Sequence, residues 1–242
     1  MSGAAAGIRV GILEAGSPPG DLGARFGSYP AMFERLLAGQ GLDFTRFDVR
    51  AGQLPSAPDA CAAYIVTGSA SGAYDPDPWI GQLRGFLAAA KGGAALVGVC
   101  FGHQLMAEAF GGKVIKSPKG WGIGLHAYAV QSVEPWMETV ARLSAPASHQ
   151  DQVVVAPPGA RVVAASAFTP YGMLAWDDQP AISIQLHPEF EPAYAKALIE
   201  ARRGSLYADG QADQAVASLD APGDGRRIGG WIAEFLRRNA GA

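Results

Sequence analysis

Residues 94–112, AALVGVCFGHQLMAEAFGG, place a cysteine at the joint between a buried strand and a helix. Ala94 to Val99 is a short apolar run of strand length. Gln104, Leu105, Glu108 and Ala109, closed by Gly111 and Gly112, read as a helix with a C-terminal stop. Cys100 therefore sits on the turn, flanked by Gly98 and Gly102, in a G-x-C-x-G form of the nucleophile elbow. Such a turn projects its side chain into a cleft. The N–H groups opening the following helix favour a thiolate, the nucleophilic form of cysteine. The competing reading is a buried core cysteine, a common state for this residue.

A second apolar run, AISIQLHPEF over residues 181–190, ends in His187, Pro188 and Glu189. Pro188 ends the strand and holds its predecessor extended. An imidazole is the usual partner of a catalytic thiol, and a carboxylate beside it orients the ring and stabilises its charged form. Cys100, His187 and Glu189 are thus the candidate catalytic residues.

Between these segments the chain alternates strand and helix patterns, which predicts a parallel sheet. Strands are expected at Ile8 to Leu13, Leu42 to Val49, Ala63 to Thr67 and the elbow run, with helices at Tyr29 to Leu37 and Pro78 to Ala90. Short strands then follow one another at residues 114–115, 125–133, 153–155, 162–165, 173–176 and 181–186, as in a mixed or antiparallel extension. Residues 208–227 are polar and Gly-rich, which predicts a loop or irregular helix. A last amphipathic helix, over about 226–239, presents Trp231, Ile232, Phe235 and Leu236 to the sheet. The whole chain, 1–242, is expected to form a single domain with its core over about 8–203.

The motifs GVCFGHQLMAEAFGG and LHPEF closely resemble those of class I glutamine amidotransferases, whose members carry a G-x-C-x-G-x-Q elbow and a later H-P-E. Residues 63–72, AYIVTGSASG, resemble the family's oxyanion strand and glycine loop, and SHQDQV at 148–153 resembles the S-H-x-D-x-V segment of GMP synthetase glutaminase domains. The resemblance implies an α/β fold of the flavodoxin-like amidotransferase kind, with a mixed, largely parallel central sheet flanked by helices and a small antiparallel extension. It also implies an oxyanion hole from the backbone N–H groups of Ser69 and Phe101. Gly68 and Gln104 would contact a glutamyl substrate, as would His149 and Asp151 from a loop at the pocket rim. A plain turn stabilised by Asp151 is the alternative for that segment. Many relatives have Gly-Gly-Pro where this chain has Gly68-Ser69-Ala70. His103 and His126 read as packed histidines, Cys61 as structural. Asp75, Asp77 and Trp79 mark the start of a helix near the cleft mouth.

The reaction so implied is hydrolysis of the γ-amide of glutamine, or of a γ-glutamyl peptide, through a γ-glutamyl thioester, with no metal or organic cofactor. The segments GSYPAMF at 27–33, AYDPDPWI at 73–80 and SHQDQV resemble the stand-alone branch that includes γ-glutamyl peptidases. The other amidotransferase reading is a glutaminase subunit that passes ammonia to a separate synthetase, since the chain has no P-loop signature. Two readings from other classes are a dienelactone-type hydrolase using Asp177 or Asp178 with His187, which leaves Gln104 and Glu189 unexplained, and a non-catalytic binding or regulatory member. A net charge of −3 without a basic cluster argues against nucleic acid as a partner. The N-terminal MSGAAAGIRVGIL lacks a basic region before a long apolar run, and two cysteines give no disulfide framework, so a cytoplasmic protein without membrane attachment is expected.

Overall fold

A computed structural model describes residues 7–240. The reading of residues 1–6 as free of a targeting segment lies outside the described residues. Five parallel strands form one half of a nine-stranded sheet: β1 (Ile8–Glu14), β2 (Leu42–Asp48), β3 (Ala63–Val66), β4 (Ala95–Val99) and β11 (Ala181–Ile184), in the order β2-β1-β3-β4-β11. The sheet continues antiparallel through β10 (Met173–Trp176), β9 (Ala160–Ala165), β6 (Gly122–Val130) and β7 (Arg142–His149). A separate two-stranded ladder pairs β5 (Lys113–Lys116) with β8 (Asp151–Val155).

Both faces of the inner parallel strands are covered, so β3, β4 and β11 are buried on both sides, whereas the edge strand β2 alternates. Val10, Ile12, Ile65, Val97 and Val99 pack on one face with α2 (Tyr29–Leu36) and α7 (Gly225–Asn239). Their neighbours Leu13, Tyr64, Val66 and Leu96 point the other way, toward α3 (Pro78–Ala90) and α4 (Phe101–Ala109). Helix α7 supplies Ile228, Trp231, Ile232, Phe235 and Leu236, a stripe at helical spacing that is fully buried as its sequence predicts. A third cluster joins α1 (Leu22–Phe26), α2, α5 (Pro192–Arg202) and α6 (Asp209–Ser218) around Tyr29, Phe190, Tyr194 and Tyr207.

Three elements depart from the sequence expectations. Strand β7 has no apolar alternation and contains Pro146, which a sheet tolerates because β7 is an edge strand. Helix α5 carries its signal in Tyr194, Ala195, Leu198 and Ile199, buried on one face. The Gly- and Ala-rich stretch after residue 208 forms the regular helix α6, which closes on Gly124 and Leu125 of β6 rather than on a large apolar stripe of its own.

Candidate active site

Strands β3, β4 and β11 are adjacent and parallel, and the segments leaving their carboxyl ends meet in one crevice, the position where open α/β sheets carry their sites. Cys100 follows β4 directly. With φ 52° and ψ −103° it is the one non-glycine residue at positive φ among the described residues. Such a backbone costs about 1–3 kcal/mol and persists only where the surroundings impose it. Gly98 and Gly102 are what allow the turn. A Cβ on Gly98 would lie 2.5 Å from the Gly102 carbonyl oxygen, and one on Gly102 would lie 2.4 Å from that of Val66. The role of these glycines is close backbone approach, not unusual φ.

After β11 the chain carries His187 and Glu189 to the same place. His187 Nδ1 is 2.8 Å from Glu189 Oε1, which leaves Nε2 for the Cys100 sulfur. The ring is held on further sides. Its own backbone N–H donates to Pro146 O at 2.8 Å, and the Phe190 ring stacks on it. Gly68 lies so close that a Cβ there would come within 2.9 Å of His187 Cε1. Cys100, His187 and Glu189 are each 3–4 % exposed. Burial opposes charge on His187, but its charge interactions and hydrogen bonds with Cys100 and Glu189 outweigh that and raise the imidazole pKa to about 10.

The crevice is a cavity of about 350 Å³ lined by Gly68, Ser69, Cys100, Gln104, His149, Asp151 and His187 among others. The N–H groups of Ser69 and Phe101 have no acceptor among the described residues. Ser69 comes just after β3, and Phe101 directly follows Cys100 at the end of the adjacent β4. Gln104, on the first turn of α4, gives its amide protons to Asp151 O (2.9 Å) and Gln185 Oε1 (3.1 Å), so its Oε1 is the polar atom left for a ligand. His149 and Asp151 are not on a rim loop: His149 ends β7, Asp151 begins β8, and only Gln150 lies between. This connection is tighter than the polar sequence indicates because both strands are anchored in different sheets. His149 is buried and neutral, with its pKa lowered by desolvation to about 3, and its Nδ1 lies 3.1 Å from Asp151 O. Burial raises the Asp151 carboxyl, partly offset by Tyr74 and Lys116.

Residues 63–202 match the family profile of Glutamine amidotransferase class-I. The chain belongs to the class-I glutamine amidotransferases. It is 30% identical over 174 residues to gamma-glutamyl peptidase 4 of Arabidopsis thaliana, covering 68% of this chain and 69% of the relative. A glutamine-hydrolyzing GMP synthase of Thermus thermophilus is 33% identical over 136 residues, 52% of this chain and 24% of that protein. A crystal structure of a glutamine amidotransferase from Thermotoga maritima superposes with a TM-score of 0.75 at 18% identity, covering 97% and 99% of the two chains.

Several other residues of this class-I amidotransferase chain fall away from the sulfur. His103, on the buried face of α4, has its Nδ1 2.8 Å from Ser183 Oγ. His126 packs edge-on against Phe168. Asp177 and Asp178 form ion pairs with Arg161 and Lys91, which leaves neither available to His187. Cys61 is buried and unpaired, with burial pushing its thiol up. Asp75 accepts the Gly72 N–H and lines the cavity, while Asp77 caps α3 without a side-chain bond. Tyr29, Phe190 and Arg202 also line the cavity, contacts that the sequence motifs do not assign. Tyr29 does lie in the GSYPAMF segment, whereas Arg202 carries no motif at all. Among the described residues no helix is long and apolar enough to cross a membrane, and no cluster of three His, Cys, Asp or Glu side chains is placed for a metal ion.

Proposed function

We propose that the protein hydrolyses γ-glutamyl amides through a Cys100–His187–Glu189 triad and releases glutamate. The observation that carries this reading is His187, fixed between a cysteine on a strained elbow and a buried carboxylate. Cys100 Sγ attacks the γ-carbonyl carbon. The developing oxyanion takes hydrogen bonds from the Ser69 and Phe101 N–H groups, each worth about 3 kcal/mol in such sites. His187 gives its Nε2 proton to the departing nitrogen, the C–N bond breaks, and a γ-glutamyl thioester remains. The neutral ring then takes a proton from water as the water attacks the thioester. Glutamate leaves, and the thiolate–imidazolium pair is restored. Gln104, Asp151 and the His149 segment hold the glutamyl head, with Gly68 forming the floor beside the ring. Unpaired cysteines favour a cytoplasmic setting.

Similarity to gamma-glutamyl peptidase 4 supports a free-standing hydrolase. A second reading, a glutaminase that serves a separate synthetase, draws on the GMP synthase relatives. These include a glutamine-hydrolyzing GMP synthase from Methanothrix thermoacetophila that is itself one subunit of its enzyme, at 33% identity over 94 residues. A glutamine-like chloroketone tests the shared chemistry. It should alkylate Cys100 and stop hydrolysis while Cys61 reacts far more slowly. Equal labelling of the two cysteines in the folded protein would remove the basis for the triad.

A further inference from the structure

The cavity has a wall that hydrolysis of glutamine itself leaves without a task. Besides Gln104 and Asp151 it is lined by Tyr29, Trp121, Phe190, Leu198 and Leu206, with Arg202 among them. Arg202 ends α5, and its guanidinium donates to the hydroxyls of Ser148 (3.0 Å) and Tyr207 (3.4 Å). Among the described residues no carboxylate pairs with it. The arginines elsewhere that are similarly shielded, Arg161 and Arg203, each have acidic partners. The other cavity cation, Lys116, is close enough to Asp151 to bear on its ionisation. Arg202 is therefore a half-buried positive charge that faces the site with only neutral partners. It is also near the reaction centre, because Ser148, which it holds through Oγ, places its carbonyl oxygen 4.0 Å from the Cys100 sulfur.

We infer that Arg202 anchors an anionic group carried by the departing amine, so that the preferred substrates are γ-glutamyl peptides with a free C-terminal carboxylate. This rests on the γ-glutamyl hydrolase reading, which puts the glutamyl head against Gln104 and Asp151 and leaves the Arg202 wall to the leaving group. Ammonia, the leaving group from glutamine, needs neither an apolar wall nor a cation. A short peptide needs both: the wall takes its side chain, and a guanidinium fork takes its carboxylate in two parallel hydrogen bonds.

The test is equilibrium binding to full-length protein carrying Cys100→Ala, which removes turnover. The probes are γ-glutamyl-cysteinyl-glycine and the same peptide with a C-terminal amide, measured by calorimetry. The acid should bind on the order of 30-fold more tightly than the amide. Adding Arg202→Met should bring that ratio near one, and Arg202→Lys should keep part of it. Equal affinity for acid and amide, no binding of either, or an acid preference that survives Arg202→Met overturns the inference. Loss of both affinities in equal proportion in Arg202→Met also overturns it, since that marks a structural role. The same two peptides offered to the wild-type protein separate this inference from the one beneath it. An acid preference in binding without any glutamate release would reject the hydrolytic reading and leave the Arg202 anchor standing.

Discussion

The His187 imidazole lies flat against the Phe190 ring, with centroids 3.9 Å apart and planes 5° from parallel. Phe190 is itself clasped by Tyr194 at 4.6 Å and Tyr29 at 5.7 Å, so the aromatic cluster under α5 sets the plane of the proposed base. Phe190→Leu keeps an apolar side chain but loses the stack. Its kcat should fall roughly 3- to 10-fold, the size of an aromatic pairing energy, with a smaller change in KM. Steady-state kinetics with a thermal melt as the folding control reads this, and unchanged kcat in a folded variant would count against a positioning role.

Loss of His187 and loss of Glu189 should differ in kind. His187→Ala removes both proton transfers and should lower kcat by about 10²- to 10⁴-fold. Glu189→Gln keeps the base but withdraws one of the two negative charges that favour the imidazolium. The His187 pKa then falls from about 10, and the alkaline limb of the kcat/KM profile should move to lower pH with residual activity retained. A profile whose alkaline limb stays in place would show that Glu189 does not support the charge on His187.

Gly68 has a steric reason to be glycine. A methyl group there meets His187 Cε1 at 2.9 Å and Cys100 Cβ at 3.8 Å. Gly68→Ala should therefore cost most of the activity by displacing the ring from the sulfur. Gly81→Ala, where no atom lies within 4 Å of the new Cβ, should leave activity alone and add about 1 kcal/mol of stability to α3. Paired activity assays and melts on the two variants check both. A fully active Gly68→Ala protein would contradict the geometry.

The elements that carry or support the proposed triad are legible in the sequence where each announces itself locally: β4 by an unbroken apolar run, α7 beneath the sheet by its stripe, the elbow by two glycines around Cys100. Strand β7 is not, since Pro146 and the small residues beside it suit an edge strand and carry no pattern. Without that strand the His149–Asp151 segment reads as a loop, although the structure makes it the tight joint between β7 and β8. Arg202 is invisible for a different reason. Its place in the cavity depends on how α5 packs beside Phe190, a long-range contact with no signature in neighbouring residues.

Acid should destabilise the fold before the carboxylates titrate. His103 and His149 are buried neutral, each with its pKa lowered by desolvation to about 3, and His149 also faces His126, His187 and His103. The unfolded chain binds protons at these histidines below pH 6.5 and the folded one does not. Stability is therefore fully present above pH 6.5 and is lost progressively as pH falls toward 3. At pH 5 the pair should cost on the order of 4 kcal/mol. Thermal melts between pH 7 and pH 5 should show a falling Tm, and a Tm that stays level across that range would contradict the buried neutral state of these rings.

Glutamate release by the purified chain alone tests the central claim most directly. All the groups the proposed hydrolysis requires lie in this chain, so wild-type protein without any synthetase should release glutamate from glutamine or from a γ-glutamyl peptide, and Cys100→Ala should release none. Negligible release by the folded wild-type protein, followed by a large increase when a protein fraction of a cell extract is added, would contradict the free-standing hydrolase and establish the partnered glutaminase in its place.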